Sequence, residues 1–302
     1  MNARMVNAIF DDENPETRPA GFDPDRNTEA FISSMDEYRS KGILAFTVNL
    51  QGGMPGYEGA VNSAFRPDGS LRDDYLARAA KVIEAADTRG TVIILGLFYQ
   101  RQDQILSDED AVKAAAQNVA RWLRDCGYSN VLVEIANEYR HPGFDHDILL
   151  QESGQVELMK LFRSVHPAVY VSTSGMGDAE FPSELAEAAD FILIHGNTTD
   201  PEEYHGKIGK LQGYRKPIVF NEDWCFSDDT RGVFDAVEKM KRAFLNGASW
   251  GVMNQQRNQT WPFRFGIGRP DEGPNAQEDY ELYEALAELL GLGEGPTEEP
   301  KD

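Results

Sequence analysis

The chain has 302 residues and carries 51 acidic against 29 basic side chains, which gives a formal charge of −22. Hydrophobic residues make up 41% and charged residues 26%, values that are typical of a folded protein and exclude a disordered one. The acidic excess disfavours nucleic acid and anionic membranes as partners, because both need clustered lysine and arginine. No apolar run reaches the roughly 20 residues that a membrane-spanning helix needs.

The opening residues, MNARMVNAIF, contain no long apolar stretch of the kind found in signal peptides. We therefore expect an extracellular or periplasmic protein only if a signal was trimmed, and otherwise a cytoplasmic one. Two cysteines, Cys126 and Cys225, are too few for a disulfide framework or a zinc cluster. No cofactor is predicted, and the sequence leaves the oligomeric state open.

Eight short β-rich runs alternate with segments of helical periodicity along the chain. Most of these runs are continuously apolar, which is typical of parallel strands covered on both faces. The predicted strands are Met5–Phe10, Ile43–Leu50, Thr91–Tyr99, Val131–Ala136, Val169–Thr173, Phe191–His195, Pro217–Asn221 and Trp250–Asn254.

Between the strands, apolar residues recur every three or four positions, which predicts amphipathic helices. Ser107 precedes three acidic residues and is predicted to cap the helix that follows. Only a short helix fits within Phe181–Ala189. The clearest apolar stripes are Tyr75, Ala79, Val82 and Ala86; Val112, Ala115, Val119, Trp122 and Cys126; Val233, Val237, Met240 and Phe244; and Leu282, Leu286 and Leu289.

Eight β–α alternations without hairpin turns predict an α/β fold, a (β/α)8 TIM barrel forming a single domain over residues 1–290. The rival fold is an open doubly wound sheet. It would usually carry a glycine-rich phosphate turn of GxGxxG form, which this sequence lacks. Residues 291–302, GLGEGPTEEPKD, are predicted to be a disordered acidic tail.

The active site of a TIM barrel lies at the carboxyl ends of its strands. The fourth predicted strand ends VLVEIANEYRH and the seventh ends PIVFNEDW, so Glu138 and Glu222 each follow an apolar strand and an asparagine. Glycosidic bond cleavage requires such a pair, with one carboxyl group to protonate the leaving oxygen and another to meet the oxocarbenium-like carbon. A single glutamate in this position is more often a salt-bridge partner, so the prediction depends on the matched pair.

The motifs EIANE and FNE resemble the signatures of the retaining β-glycosidases of glycoside hydrolase clan A, particularly the cellulase-like family 5. The resemblance covers roughly residues 5–290 in strand order. It implies that Glu138 is the acid/base, that Glu222 is the nucleophile and that Asn137 binds the sugar 2-hydroxyl. It also implies that His195, at the end of the sixth strand, contacts the nucleophile or the substrate.

Two positions depart from the family pattern. Tyr139 replaces the proline that commonly follows Asn-Glu, and Asn197 stands where the family has an aromatic hydroxyl two residues after the histidine. Glu134 shares the strand parity of Glu138, so its side chain should point into the barrel. A charge there needs pairing, and Arg4 is one candidate partner.

Further candidate substrate-binding residues stand at or beyond the carboxyl ends of the predicted strands. Aromatic rings stack on the C–H faces of sugars, and amides bind sugar hydroxyls. Ordinary loop packing explains Tyr99, Trp224 and Trp261 about equally well, solvated loop chemistry does so for Gln100, and Trp122 and Trp250 are predicted to be core instead. The candidates are Asn49, Tyr99, Gln100, Asn197, Trp224 and Trp261.

Three readings of function follow from these residues. The first is a retaining glycoside hydrolase acting on neutral β-linked glycans or oligosaccharides, which the presence of both glutamates favours. The second is a carbohydrate-binding barrel in which the family departures have removed turnover. A distant third is a metal-assisted hydrolase.

A metal is the weaker interpretation of the acidic residues near the first strand. Asp11, Asp12 and Glu13 have the hard oxygen ligands that calcium prefers, but they lack EF-hand spacing, and a solvated acidic loop is the preferred reading. The five histidines are scattered along the chain, so no metal site is predicted.

Overall fold

A computed structural model describes residues 1–53, 59–224 and 236–292. Parallel strands alternate with helices along the whole of the described chain. The strands are β1 (Asn2–Arg4), β2 (Ala45–Asn49), β3 (Val92–Phe98), β4 (Val131–Ala136), β5 (Tyr170–Ser172), β6 (Ile192–His195), β7 (Ile218–Glu222), β8 (Ala248–Ser249) and β9 (Gly251–Val252). The helices are α1 (Pro24–Ser40), α2 (Asp73–Thr88), α3 (Glu109–Cys126), α4 (Asp147–Leu150), α5 (Glu152–Val165), α6 (Ser183–Ala188), α7 (Tyr204–Gln212), α8 (Ala236–Leu245) and α9 (Pro274–Leu289).

The strands close into a ring. Strands β1 to β5 pair in chain order, β6 pairs with β7, and a parallel bridge between Ser174 and Leu193 joins the end of β5 to β6. The eighth strand position is shared, because β8 pairs with β7 and β9 pairs with β1. This confirms the (β/α)8 barrel that the alternating patterns predict.

The first strand is where the predicted boundaries are wrong. The apolar run Met5–Phe10 is not a strand: β1 ends at Arg4, and Val6–Ile9 forms a 3-10 turn. Every residue of the run is fully buried, and a short apolar run that is buried all round has the same pattern in a strand as in a helical turn. As a result, Arg4 belongs to the barrel wall.

The eighth strand also begins two residues before the predicted Trp250–Asn254 and is interrupted at Trp250. The other six predicted strands overlap the observed ones to within two residues at each end.

The helix that follows β3 shows how local signals set element ends. The predicted stripe ending at Cys126 lies on α3, but the N-cap is Asp108 and not Ser107. The Asp108 carboxylate accepts a hydrogen bond from the backbone N–H of Ala111 at 2.8 Å, whereas the Ser107 hydroxyl is turned away to another loop. Gly127 ends the helix with a φ of 71°, which glycine adopts without strain.

Of the three acidic residues for which a solvated loop is the preferred interpretation, Glu13 is exposed, but Asp11 and Asp12 are buried, contrary to that prediction. Asp11 is 6% exposed and pairs with Arg72 at 2.9 Å and with Arg78 at 2.8 Å. Asp12 is fully buried and accepts backbone hydrogen bonds, one of them from Val61 at 2.9 Å. The guanidinium groups already supply the counter-charge that the calcium alternative would assign to a metal ion.

Several predictions about chain ends and loops fall outside the described residues. These concern the acidic tail from residue 293 onwards, Cys225 and Val233, and part of the loop after β2. Among the helices that the structure describes, none combines the length and the hydropathy needed to cross a bilayer.

Candidate active site

Glu138 and Glu222 face each other at the carboxyl end of the barrel. One carboxylate oxygen from each and a ring nitrogen of His195 all lie within 4.8 Å of one another. The side chains of Glu138 and Glu222 are 13% and 8% exposed. The structure therefore brings the two carboxylates that follow strands four and seven into a single site.

The orientation of Glu222 depends on an irregularity where β6 and β7 pair. Ile194 lies opposite Phe220, but the next pair joins His195 to Glu222, which leaves Asn221 as an extra residue of β7. Phe220 stacks outward on a ring of α7, and Asn221 points inward to the barrel interior. Regular alternation would turn Glu222 outward again, and the extra residue instead aims it into the barrel mouth, as β-bulges do.

Glu138 adopts a left-handed backbone conformation, with a φ of 50°. This conformation costs an ordinary residue about 1–2 kcal/mol, so the surroundings must hold it. Ser174, beyond β5, does so on both sides: its hydroxyl accepts the backbone N–H of Glu138 at 2.9 Å, and its carbonyl accepts that of Tyr139 at 3.1 Å. A strained backbone fixed in this way is typical of functional sites.

Both carboxylate oxygens of Glu222 are held by buried donors. Arg4 Nε lies 2.7 Å from Oε2, and the Asn197 amide donates to Oε1 at 2.6 Å. The backbone N–H of Trp224 donates to the Asn197 carbonyl oxygen at 3.0 Å, which fixes the orientation of that amide. Asn197, at the position where the family pattern has an aromatic hydroxyl, thus donates to the Glu222 carboxylate.

Arg4 links this carboxylate to the polar residues that follow β3 and β4. It donates to the Asn137 side-chain oxygen and makes a side-chain hydrogen bond with Tyr99. The Asn137 amide donates in turn to Gln100 at 3.2 Å. Burial acts to lower the pKa of Arg4, but Glu222, Tyr99 and Glu134 together outweigh burial and raise it, so this guanidinium is a fixed positive charge.

His195 lies between carboxyl groups. Its Nδ1 is 3.1 Å from Glu138 Oε1 and 3.7 Å from Glu222 Oε2. Burial acts to lower the pKa of His195, but Glu222 and the hydrogen bond to Glu138 prevail, and the pKa is raised.

Asn49 lies one step below this mouth. It pairs with Gly96, which pairs in turn with Glu134 of β4. A Cβ at Gly96 would be 2.4 Å from the Asn49 side-chain oxygen, so the glycine leaves room for the amide. The Asn49 side chain is buried in the barrel interior beside Gly96. Its contact with substrate stays a prediction.

The tryptophans divide between core and surface. Trp250 is buried, as predicted, and Trp122 packs half-buried against the core beside Tyr128. Trp224 is half-buried, and Trp261 is 39% exposed on the loop that follows the eighth strand, with T-shaped contacts to the rings of Phe22 and Phe263. Trp261 is therefore the tryptophan with the most surface available for stacking on a sugar among those that the structure describes.

Glu138, His195 and Glu222 are also a set of atoms that could ligate a cation by spacing alone. The fixed positive charge of Arg4 lies directly against Glu222, and it opposes a second cation at the same oxygens. The donor set therefore fits a charged proton-transfer site better than a metal centre.

The same barrel fold is found in solved structures. A GH5-4 broad-specificity endoglucanase from an uncultured bovine rumen ciliate matches with a TM-score of 0.64 at 12% identity, covering 95% of this chain and 96% of the other. A GH5-4 endoglucanase from Clostridium longisporum matches with a TM-score of 0.63 at 9% identity, covering 96% of each chain. A xyloglucan-specific endo-β-1,4-glucanase of family 5, solved with cellotriose, matches with a TM-score of 0.59 at 14% identity, again covering 96% of each chain.

The chain has the fold of the family 5 glycoside hydrolases. No protein-family model matches the sequence, and no curated protein sequence is significantly similar to it. The likeness of this family-5-like barrel to its neighbours therefore lies in structure, and the roles of its residues must be argued from its own geometry.

Sequence reasoning missed a buried cluster behind the site of the family-5-like barrel. Asp223 follows Glu222 directly, and its carboxylate accepts hydrogen bonds from Lys239 at 2.7 Å, from Trp250 at 2.7 Å and from the Tyr204 hydroxyl. Lys239 also donates to the carbonyl of the residue after His195 at 3.0 Å. The cluster ties the ends of β6 and β7 to α8, and a lone lysine in an amphipathic helix gives no signal of this in the sequence.

Replacing Lys239 should be strongly destabilising. Lys239→Met keeps the length of the side chain but leaves Asp223 as a buried, unpaired charge, for which we expect a loss of about 3–5 kcal/mol in the free energy of unfolding at pH 7. Burial already raises the pKa of Asp223 despite the lysine, so the penalty should shrink as the pH falls and the carboxyl group is protonated. Urea unfolding at pH 5 and pH 7 measures both effects.

Lys241→Met is the matched control, because Lys241 is exposed on the same helix. We expect it to change stability by less than about 0.5 kcal/mol. Equal losses in the free energy of unfolding for the two variants would show that the buried Lys239–Asp223 ion pair does not stabilise the fold.

Proposed function

We propose that this protein is a retaining glycoside hydrolase that cleaves β-linked neutral glycans or oligosaccharides, with Glu138 as acid/base and Glu222 as nucleophile. The observation that carries the proposal is the approach of the two carboxylates to within 4.8 Å. Retaining enzymes hold their carboxyl groups about 5–5.5 Å apart, whereas inverting enzymes leave roughly 6.5–9.5 Å for a water molecule.

The surroundings of each glutamate suit its proposed role. Glu222 lies against the fixed positive charge of Arg4, which favours the ionised carboxylate that a nucleophile needs. Glu138 is the more exposed of the two and is paired with His195, a group that can exchange a proton. The acid/base must reach the leaving oxygen in the first step and a water molecule in the second. The greater exposure of Glu138 allows both contacts.

The reaction proceeds by two displacements at the anomeric carbon. In the first, Glu222 forms a bond to that carbon as the glycosidic C–O bond breaks, and the proton of Glu138 passes to the departing oxygen. In the second, a water molecule attacks the same carbon, Glu138 takes its proton, and the bond to Glu222 breaks. Esterification of Glu222 removes one negative charge between the steps, which favours the carboxylate form of Glu138 that the second step requires.

Neutral β-linked glucans are the substrate class with the most support. The structural neighbours are described as endoglucanases, and one of them is bound to cellotriose. The chain itself carries a net charge of −22, which disfavours polyanionic glycans.

Trapping of the covalent intermediate tests the proposal. A panel of 2-deoxy-2-fluoro β-glycosides with good leaving groups should inactivate the enzyme with stoichiometric labelling, since the fluorine slows both steps and the good leaving group speeds only the first. Peptide mapping should place the label on Glu222, and the sugar that labels fastest identifies the glycone. Labelling elsewhere would reject the nucleophile assignment.

A carbohydrate-binding barrel without turnover is the alternative, since Tyr139 and Asn197 depart from the family pattern. Calorimetry with cello-oligosaccharides distinguishes the two. Binding without release of product, and without labelling by any fluorosugar, would favour the binding protein.

A further inference from the structure

Two buried polar atoms face each other beneath the catalytic pair. Glu134 Oε1 lies 3.9 Å from His195 Nε2, and neither atom has a hydrogen-bond partner among the described residues. Both side chains are fully buried. Buried polar atoms nearly always have a partner, so this pair requires an explanation.

The arrangement places one imidazole between two carboxyl groups of the same segment. Nδ1 of His195 is 3.1 Å from Glu138, and Nε2 faces Glu134, four residues earlier. The other oxygen of Glu134 accepts a hydrogen bond from the Asn221 amide at 3.1 Å, and the Ser174 hydroxyl is a further polar neighbour of this carboxyl group, whose Oε1 faces the ring. Asn221 is the extra residue of β7, so the irregularity that aims Glu222 also orients Glu134.

Arg4 is not the direct partner of Glu134 that the sequence suggests. Its ion pair is with Glu222 at 2.7 Å, while Glu134 is held by Asn221 and faces His195. The carboxyl group beneath the site is thus directed at the histidine.

We propose that Glu134 is a positioning residue that keeps a proton on Nε2 of His195, so that Nδ1 shares with Glu138 the proton delivered to the leaving oxygen. The inference rests on the proposed glycosidase function. In the first displacement the shared proton leaves with the departing group, and His195 stays neutral with its Nε2 proton. In the second, the proton of the attacking water returns to the space between Glu138 and Nδ1, which restores the starting state.

The charges around the ring support this placement of protons. His195 is faced by Glu134 and Glu138 from the β4 segment, by Glu222 from β7 and by the positive charge of Arg4 from β1. The three carboxyl groups outnumber the one guanidinium, in line with the raised pKa of His195. Burial raises the pKa of Glu134, whereas the charges of Arg4 and His195 act to lower it, so a proton retained on Nε2 favours the Glu134 carboxylate against the effect of burial.

The experiment combines ¹⁵N NMR of histidine-labelled protein with pH–rate profiles. His195→Asn assigns the His195 resonances. In the wild type, Nε2 should stay protonated across the titration. Glu134→Gln removes the charge but keeps the shape, and it should lower the pKa of His195 by about one pH unit and move the alkaline limb of kcat/KM down by a similar amount.

Two further variants separate charge from shape. Glu134→Asp retains the charge and should hold the His195 pKa closer to the wild-type value. Asp279→Asn removes a different buried carboxyl group, which is held by Asn254 and Gly268, and it should leave both readouts unchanged.

Either of two results would overturn the proposal. One is a neutral His195 protonated on Nδ1 in the wild type, a measurement that stands even if Glu134→Gln does not fold. The other is a Glu134→Gln variant that loses kcat equally at every pH while its His195 pKa is unchanged, since that is a purely structural effect. Because the NMR titration needs no turnover, it decides the proton placement even if the protein is not a hydrolase.

Discussion

Glu222→Ala is expected to lower kcat on aryl β-glycosides by about 10⁵-fold, the scale on which removal of a catalytic nucleophile acts. The variant removes the group that forms the glycosyl–enzyme bond. Neither neighbouring carboxyl group can replace it, because Glu138 acts as the acid/base and Glu134 is fully buried beneath the pair. Arg4 would then keep its positive charge in a small cavity. Steady-state kinetics with a dinitrophenyl glycoside measures the loss.

Sodium azide should restore product formation in Glu222→Ala. The anion fits the cavity beside Arg4, attacks the anomeric carbon in place of the carboxylate and expels the aryl group, which gives an α-glycosyl azide from a β-glycoside. Glu202→Ala, at an exposed position beyond β6, serves as the control and should retain full activity. A Glu222→Ala variant with more than a tenth of wild-type kcat, or an azide product of β configuration, would contradict the nucleophile assignment.

The position of the two facing glutamates could be predicted because it depends on strand order alone. An apolar strand running into Asn-Glu occurs twice, at Glu138 and Glu222, and parallel strands of one barrel place their carboxyl ends at one mouth. The fold could be predicted from the alternation of sequence patterns, because each strand is buried on both faces and each helix on one face.

The partners of the pair could not be predicted, because they depend on local departures from regular geometry. Arg4 lies before the apolar run that looks like the first strand, and only the 3-10 turn at Val6–Ile9 shows that Arg4 is in the barrel wall. The extra residue Asn221 reverses the side-chain alternation within β7, and a one-residue irregularity leaves no periodic signal in five residues.

The roles of the amides were likewise hidden in the sequence. Asn197 and Gln100 are predicted to contact sugar, yet the structure engages Asn197 with Glu222 and Gln100 with Asn137. An amide can satisfy a buried carboxylate or a sugar hydroxyl equally well, so residue type does not separate the two. Only hydrogen-bond distances of about 3 Å in the folded chain show which role each amide has, and the sequence does not contain those distances.

Glu138→Ala should have an effect that depends on the leaving group, which distinguishes an acid/base from a nucleophile. For sugar or alkyl leaving groups, which need protonation to depart, we expect kcat/KM to fall about 10²- to 10⁴-fold. For a dinitrophenyl glycoside the loss in kcat/KM should be small, because that group departs as an anion. The intermediate should then accumulate as a burst, since no base activates water for the second step.

Azide should rescue Glu138→Ala with the opposite stereochemistry to Glu222→Ala. It attacks the glycosyl–enzyme from the side that water uses, so the product is a β-glycosyl azide. The alkaline limb of the pH–rate profile should vanish in the same variant, because the group whose deprotonation causes it is gone. Equal losses for all leaving groups would show that Glu138 only shapes the site. If the alkaline limb were also retained, it would have to come from His195 or another group at the barrel mouth.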